Sequence, residues 1–216
     1  MPQKAFIFDM DGVIFNTENC WKEGFEMVTK KYGLPLDENY RVTICGKSEK
    51  KIIEELKDMF PDLNGVKYRE EIAEYYVQML KDGKYEVKEG FFELIDELKR
   101  KNYKIALATS NIRWRMELMF ANKGIDPYKI FDEIITVTEI GTKTKPDPFI
   151  FLTTAEKLGV KPEDTFVLED SLNGIEAAVR GEFIPIMVKD LIPPNEYAKE
   201  NCHKIVDSLL EVIPLV

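Results

Sequence analysis

Lys4-Ala5-Phe6-Ile7-Phe8-Asp9-Met10-Asp11-Gly12-Val13 is the stretch on which the reading of this chain turns. Residues 4–9 form a short apolar run that closes on a carboxylate, the pattern of a strand buried on both faces. Asp9 then stands at a strand end, where parallel α/β sheets place their ligands. Two carboxylates two positions apart, followed by glycine, cannot both be buried without a cation or a proton to neutralise them. Mg²⁺, with its preference for oxygen ligands, meets that need. A solvated Asp-x-Asp turn avoids it altogether, and these residues taken alone do not separate the two readings.

Further runs of the same kind follow at 103–109, 165–169 and 184–188, with a weaker one at 133–137. Helical patterns lie between them: Phe91 to Leu98, Trp114 to Met119 ahead of Gly124, Pro148 to Leu158 ahead of Gly159, and Leu172 to Val179 ahead of Gly181. Strands alternating with helices predict βαβ units and a parallel sheet, an α/β fold of Rossmann-like type. From about residue 18 to 84 the alternation stops. Trp21, Phe25, Val28 and Tyr32 fall at helical spacing, as do Ile52, Ile53, Leu56 and Phe60, then Tyr68, Ile72, Tyr75, Tyr76 and Met79. An inserted α-helical domain over residues 17–85 is expected, with 1–16 and 86–216 forming the core. Its edges, near Phe15–Glu18 and Gly83–Gly90, are candidate hinges for closure over a site.

Three more places carry chemistry. Glu169-Asp170 closes the run Phe166-Val167-Leu168 and precedes Ser171 and Asn173-Gly174. An acidic pair at the mouth of a buried strand calls for a cation, although acids at a helix start have a dipole explanation too. Thr109-Ser110-Asn111 ends the run Ile105–Ala108; hydroxyls and main-chain N–H groups there suit a phosphate, or a simple N-cap. Lys145-Pro146-Asp147-Pro148 puts a lysine on a stiff loop before a helix. Each has a bland reading by itself. The order Asp-x-Asp, Thr, Lys, Glu-Asp, each at or just past a strand end, is hard to obtain by chance.

Composition sets the bounds. The chain has 216 residues, 44% hydrophobic and 32% charged, which is ordinary for a globular protein. A net charge of −9, with basic residues interspersed among acids, argues against a general nucleic-acid binder. No apolar run reaches the length of a membrane span, and Met1-Pro2-Gln3-Lys4 does not read as a signal peptide, so a cytoplasmic location and no membrane partner are expected. Cys20, Cys45 and Cys202 are sparse, unpaired in spacing and read as reduced thiols. A monomer is the default.

Together the four motifs Asp9-Met10-Asp11-Gly12, Thr109-Ser110-Asn111, Lys145-Pro146-Asp147-Pro148 and Glu169-Asp170-Ser171 resemble those of the haloacid dehalogenase superfamily, in its β-phosphoglucomutase-like phosphatase group with a helical cap. The resemblance implies a Mg²⁺-dependent phosphatase that hydrolyses a small phosphate monoester, such as a sugar phosphate, through an aspartyl-phosphate. It implies that Asp9 attacks phosphorus and ligates the metal. Asp11 protonates the leaving oxygen, then activates water, and its main-chain carbonyl is a metal ligand. Glu169 and Asp170 complete the metal set. Thr109, Ser110, Asn111 and Lys145 hold the phosphate. The second aspartate, Asp11, speaks against the dehalogenase branch, and the full set of motifs speaks against a non-catalytic binding module or a receiver-type domain.

Departures from the mutase pattern favour hydrolysis. The position of the mutase's cap histidine is Trp21, and its Lys-Gly-x-Ser-Arg loop reads Cys45-Gly46-Lys47-Ser48-Glu49. A second phosphate is expected to meet Glu49 unfavourably. Trp21, Gly46 and Lys47 are the candidate leaving-group contacts, with packing against Phe25 as the plain alternative for Trp21. A sugar-phosphate mutase remains the second reading. His203, far from every motif, is expected on the surface.

Overall fold

The computed structural model describes residues 4–44, 47–141 and 143–216. The opening run becomes β1 (Ala5–Phe8), followed by the short β2 (Phe15–Asn16). Four helices follow: α1 (Glu18–Tyr32), α2 (Glu38–Ile44), α3 (Glu49–Met59) and α4 (Gly65–Lys81). The chain returns through β3 (Glu86–Val87) to α5 (Phe91–Arg100), β4 (Lys104–Thr109), α6 (Arg113–Asn122), β5 (Glu133–Thr136) and the single turn α7 (Val137–Ile140). It ends with α8 (Phe149–Leu158), β6 (Thr165–Glu169), α9 (Leu172–Arg180), β7 (Ile184–Val188), α10 (Glu196–Asn201) and β8 (Lys204–Val206). No described helix is long and apolar enough to cross a membrane.

Two compact units emerge, Met1–Asn16 with Glu86–Val216, and Thr17–Tyr85. In the first, six described strands form one sheet in the order β5-β4-β1-β6-β7-β8, with parallel neighbours throughout. This is the parallel α/β sheet that the alternating pattern predicts. All four residues of β1 are buried because it is an inner strand with both faces covered. Alternate side chains divide the labour. Ile7 joins Ala106, Ala108, Ile135 and Val167 on an aliphatic face that packs against α8 and α9 through Ile150, Phe151, Ala155, Ala177 and Ala178. Phe6 and Phe8 belong to an aromatic layer: Phe6 stacks on Phe166 with centroids 4.7 Å apart, and Phe8 meets Phe91 edge-on at 6.2 Å.

From β1 the chain moves out through β4 to β5, then returns to place β6 on the other side of β1. Such a reversal opens a crevice at the carboxyl ends of the strands, the usual ligand position in this architecture. In register, Phe8 faces Leu107 on one side and Leu168 on the other. Asp9, Thr109 and the Glu169-Asp170 pair therefore stand at or just past adjoining strand ends.

The second unit is built as the helical periodicity requires. Phe25, Val28, Ile44, Ile52, Leu56, Tyr68 and Ile72 form its core, and the Thr29 hydroxyl and Tyr68 phenol share a buried hydrogen bond of 2.6 Å. The two connections, which the sequence marks as candidate hinges, contain paired backbone. Phe15–Asn16 and Glu86–Val87 form a two-stranded antiparallel ribbon. Segments of two residues carry no readable period, which is why sequence alone leaves them as loops.

Candidate active site

Asp9 follows β1 directly, and its main-chain N–H donates to the Leu168 carbonyl at 2.9 Å. That bond continues the sheet ladder by one residue and fixes the carboxylate beside the end of β6. Lys145 reaches it from the loop before α8, where the Lys145–Pro146 peptide is cis. The Lys145 ammonium donates to Asp9 Oδ1 at 2.5 Å and to Glu169 Oε1 at 2.6 Å. Glu169 Oε2 accepts from the Ser171 N–H at 2.7 Å. Asp9 and Glu169 are nearly fully buried, and Asp170 is partly so.

Electrostatics follow from that burial. Loss of water pushes the Asp9 carboxyl up to about 7; Lys145 opposes the rise, while Glu169 and Asp11 add to it. Burial likewise raises Asp170 well above the ordinary aspartate range, with Glu169 and Asp9 next in weight. For Lys145 burial disfavours the charged form, but Asp9 and Glu169 outweigh it and raise the ammonium above the usual lysine value. Carboxylate oxygens of Asp9, Glu169 and Asp170 lie within 4.8 Å of one another. Three acids against one lysine leave negative charge over, in a place where unpaired charge is costly. A hard divalent cation with oxygen ligands fits that donor set.

Two glycines make the crowding possible. A Cβ on Gly174 would lie 1.9 Å from Cδ of Glu169, and a Cβ on Gly12 would lie 2.3 Å from Oδ2 of Asp170. Gly12 also has φ +71°, where other residues are strained. The sequence shows the Asn173-Gly174 pair but not its purpose, because the approach to Glu169 depends on how the turn from β6 into α9 folds back.

Asp11 is placed differently from the acids of the cluster. Its Oδ2 accepts a hydrogen bond from the Asn111 side-chain amide. Asn111 is steadied in turn by Arg115, which donates to Asn111 Oδ1 at 3.0 Å, and its own N–H donates to the Thr109 hydroxyl at 3.1 Å. So the amide of Asn111, a residue expected at the phosphate, is bonded to the Asp11 carboxylate. Arg115 was not expected at all; its only sequence signal is its place four residues beyond Asn111, one turn along the start of α6. Thr109 is buried and Ser110 is exposed at the end of β4.

Trp21 and Lys47 lie in the helical unit, where they line a cavity of about 240 Å³ together with Glu18, Arg41, Glu49 and Arg69. The Trp21 ring stacks on Tyr76 at 4.2 Å, so its partner is Tyr76 across the helices. Lys47 pairs with Glu55 at 2.8 Å. Glu49 pairs with Arg69 at 2.6 Å, so the negative charge that the sequence sets against a second phosphate is balanced locally. Buried Arg41 is held by Glu18 and by Glu38, the latter at 2.7 Å. Gly46 and Cys45 lie outside the described residues. His203 is exposed, as expected, with its ring edge-on to Phe166.

Adjoining strand ends at the switch point of a parallel sheet carry an Asp-x-Asp turn, a lysine and an acidic pair, an arrangement suited to phosphoryl-transfer chemistry. A family model for haloacid dehalogenase-like hydrolases matches residues 6–188, and the chain belongs to that family of enzymes. It is 34% identical over 180 residues to a phosphorylated carbohydrates phosphatase of Thermotoga maritima, covering 81% of this chain and 80% of that protein. With the β-phosphoglucomutase of Bacillus subtilis it shares 29% identity over 184 residues, 81% of this chain and 78% of that one. Among solved structures, a family hydrolase from Entamoeba histolytica aligns with a TM-score of 0.78 at 25% identity, over 98% of this chain and 99% of that one.

Proposed function

We propose that this protein is a Mg²⁺-dependent phosphatase that hydrolyses a small phosphate monoester through an aspartyl-phosphate on Asp9. The observation that carries the reading is the buried Asp9–Lys145–Glu169–Asp170 cluster, with Asp11 oriented separately by Asn111. Asp9, Glu169 and Asp170, with the Asp11 carbonyl, would hold Mg²⁺, which supplies positive charge for the phosphoryl oxygens.

The chain's own groups account for the rest. Lys145 keeps Asp9 oriented and offers its charge to the phosphoryl group, while Thr109 and Ser110 present hydroxyl and N–H donors to the phosphate oxygens. An Asp9 oxygen bonds to phosphorus as the ester P–O bond breaks, and the proton on Asp11 passes to the leaving oxygen. Water then attacks phosphorus and gives its proton back to Asp11. The Asp9–phosphorus bond breaks, releasing inorganic phosphate and the free Asp9 carboxylate.

The likeness to a phosphatase of phosphorylated carbohydrates supports a sugar phosphate or similar metabolite as substrate. Trp21 and Lys47, on the wall of the helical unit's cavity, are the proposed leaving-group contacts, and Gly46 joins them from the sequence. Likeness to a β-phosphoglucomutase keeps phosphoryl exchange as the second reading. Against it, Trp21 stands where the mutase has a histidine. The test is hydrolysis of p-nitrophenyl phosphate with Mg²⁺, then a panel of metabolite monoesters. Asp9→Asn is expected to lower turnover by at least about 10³-fold; turnover that survives it refutes the mechanism. Conversion of β-glucose 1-phosphate with a bisphosphate primer, faster than its hydrolysis, establishes the mutase instead.

A further inference from the structure

Lys88 follows β3, inside the segment that the sequence marks only as a connection, and has no part in the chemistry described above. Its side chain is 15% exposed, as is that of Asp190 beyond β7. The ammonium has three donors, and three acceptors meet it: the Gly12 carbonyl at 2.6 Å, Asp190 Oδ1 at 3.0 Å and the Lys189 carbonyl at 3.4 Å. The Lys88 main-chain N–H donates to the Ile14 carbonyl at 2.8 Å. One residue thus grips the Asp9–Phe15 turn at two points and ties it to the exit of β7.

Leverage comes from what Gly12 touches. It is joined to Asp11 by a peptide bond, and its Cα lies so close to Asp170 that a Cβ would reach 2.3 Å from that carboxylate. Moving the Gly12 peptide therefore moves both the carboxyl that handles the proton and the wall behind an acid of the proposed metal set. A plain surface ion pair needs neither the carbonyl contacts nor the burial.

We infer that Lys88 is a positioning residue, a tether on the Gly12 carbonyl that holds Asp11 and Asp170 in working geometry. The inference rests on the reading of those two acids given above. Charge and tether make opposite predictions for Lys88→Met. Removing a cation near acids should by itself tighten Mg²⁺ binding; releasing the tether should weaken it.

Titration calorimetry with Mg²⁺ on the wild type, Lys88→Met, Lys88→Arg, Asp190→Asn and the Lys88→Met/Asp190→Asn double variant decides the matter, beside kcat and KM on p-nitrophenyl phosphate. Lys88→Met is expected to bind Mg²⁺ about tenfold more weakly, with kcat down about tenfold and KM within about twofold. Lys88→Arg should recover most of both losses. Asp190→Asn alone should change each by less than about threefold, and the double variant should be no better than Lys88→Met. Should Lys88→Met not fold, Lys88→Gln takes its place. Tighter or unchanged Mg²⁺ binding overturns the inference, and so does recovery in the double variant, which reduces Lys88 to a counter-ion of Asp190. An inactive wild type refutes the phosphatase reading while calorimetry still decides this one; a wild type that binds no Mg²⁺ refutes both.

Discussion

Glu169 shows how narrowly the site is built. One oxygen takes the Lys145 ammonium, the other takes the Ser171 N–H, and the carboxyl group occupies the space that a Cβ on residue 174 would need. A methyl group at 174 has no room while Glu169 keeps that rotamer. Gly174→Ala is accordingly expected to displace the carboxylate and to weaken Mg²⁺ binding by about tenfold or more, the scale of effects on groups that support metal ligands. Isothermal titration measures it, and unchanged affinity would show that Glu169 is not held where its charge matters. Asn111 shows a second kind of economy. It sits two residues past a hydroxyl that accepts its N–H, and its amide reaches an acid 100 positions earlier in the chain. Asn111→Ala should lower kcat by about tenfold to a hundredfold while leaving KM nearly unchanged, if its amide orients Asp11 as the proposed proton donor. Steady-state kinetics check this, and a rise in KM at constant kcat would return Asn111 to the phosphate.

At the scale of elements, α9 begins at the site and shares its residues with it. Ser171 caps the helix by accepting the Gly174 N–H at 3.0 Å, while its own N–H serves Glu169. Ser171 is thus both the N-cap of α9 and a member of the acidic motif, since hydroxyl and N–H point to different tasks. Ser171→Ala removes only the hydroxyl. It should cost about 1 kcal/mol of stability, the usual value of such a cap, with the Glu169 contact intact. Denaturant unfolding tests the first part. Activity lost far beyond that loss of stability would mean the hydroxyl itself works in the reaction.

The whole molecule gathers several like charges at adjoining strand ends, and on the proposed reading its stability is expected to depend on pH and metal together. In the metal-free protein the Asp9 carboxyl is raised by burial from 3.8 to about 7. The folded state then holds this proton more tightly than the unfolded chain does. Its contribution is complete below about pH 4 and is lost as the pH rises through about 7. Asp170 shifts in the same direction. On the proposed reading Mg²⁺ would replace the proton as the balancing charge and would stabilise the fold by binding the native state alone. The rise in melting temperature on adding Mg²⁺ should therefore be larger near pH 8 than near pH 5. An equal or larger rise at acid pH would contradict a site made of these buried acids.

Periodicity alone determined the parallel α/β sheet, its inner strands and the helices that cover it, because continuous apolar runs and 3.6-residue spacing are local properties. Charged side chains at the ends of buried runs brought out Asp9, Asp11, Glu169 and Asp170, since they need an explanation wherever the chain later goes; Lys145 stood out by its proline-stiffened loop and its place in the order of motifs. The short β2–β3 ribbon and β8 stayed hidden; their hydrogen bonds are made with distant segments and leave no repeat in so few residues. Only the tertiary structure gave Asn111 to Asp11, set Gly12 and Gly174 against the acids, balanced Glu49 with Arg69, and brought Lys88 to the Gly12 carbonyl. The Asn111–Asp11, Gly12–Asp170 and Lys88–Gly12 meetings join groups far apart in the chain, brought together by strand order and register; Glu49–Arg69 joins two helices of the second unit, and Gly174 meets Glu169 through the turn between β6 and α9. A linear pattern records what a residue is and what stands three or four places away, and nothing of what the fold will carry to its side.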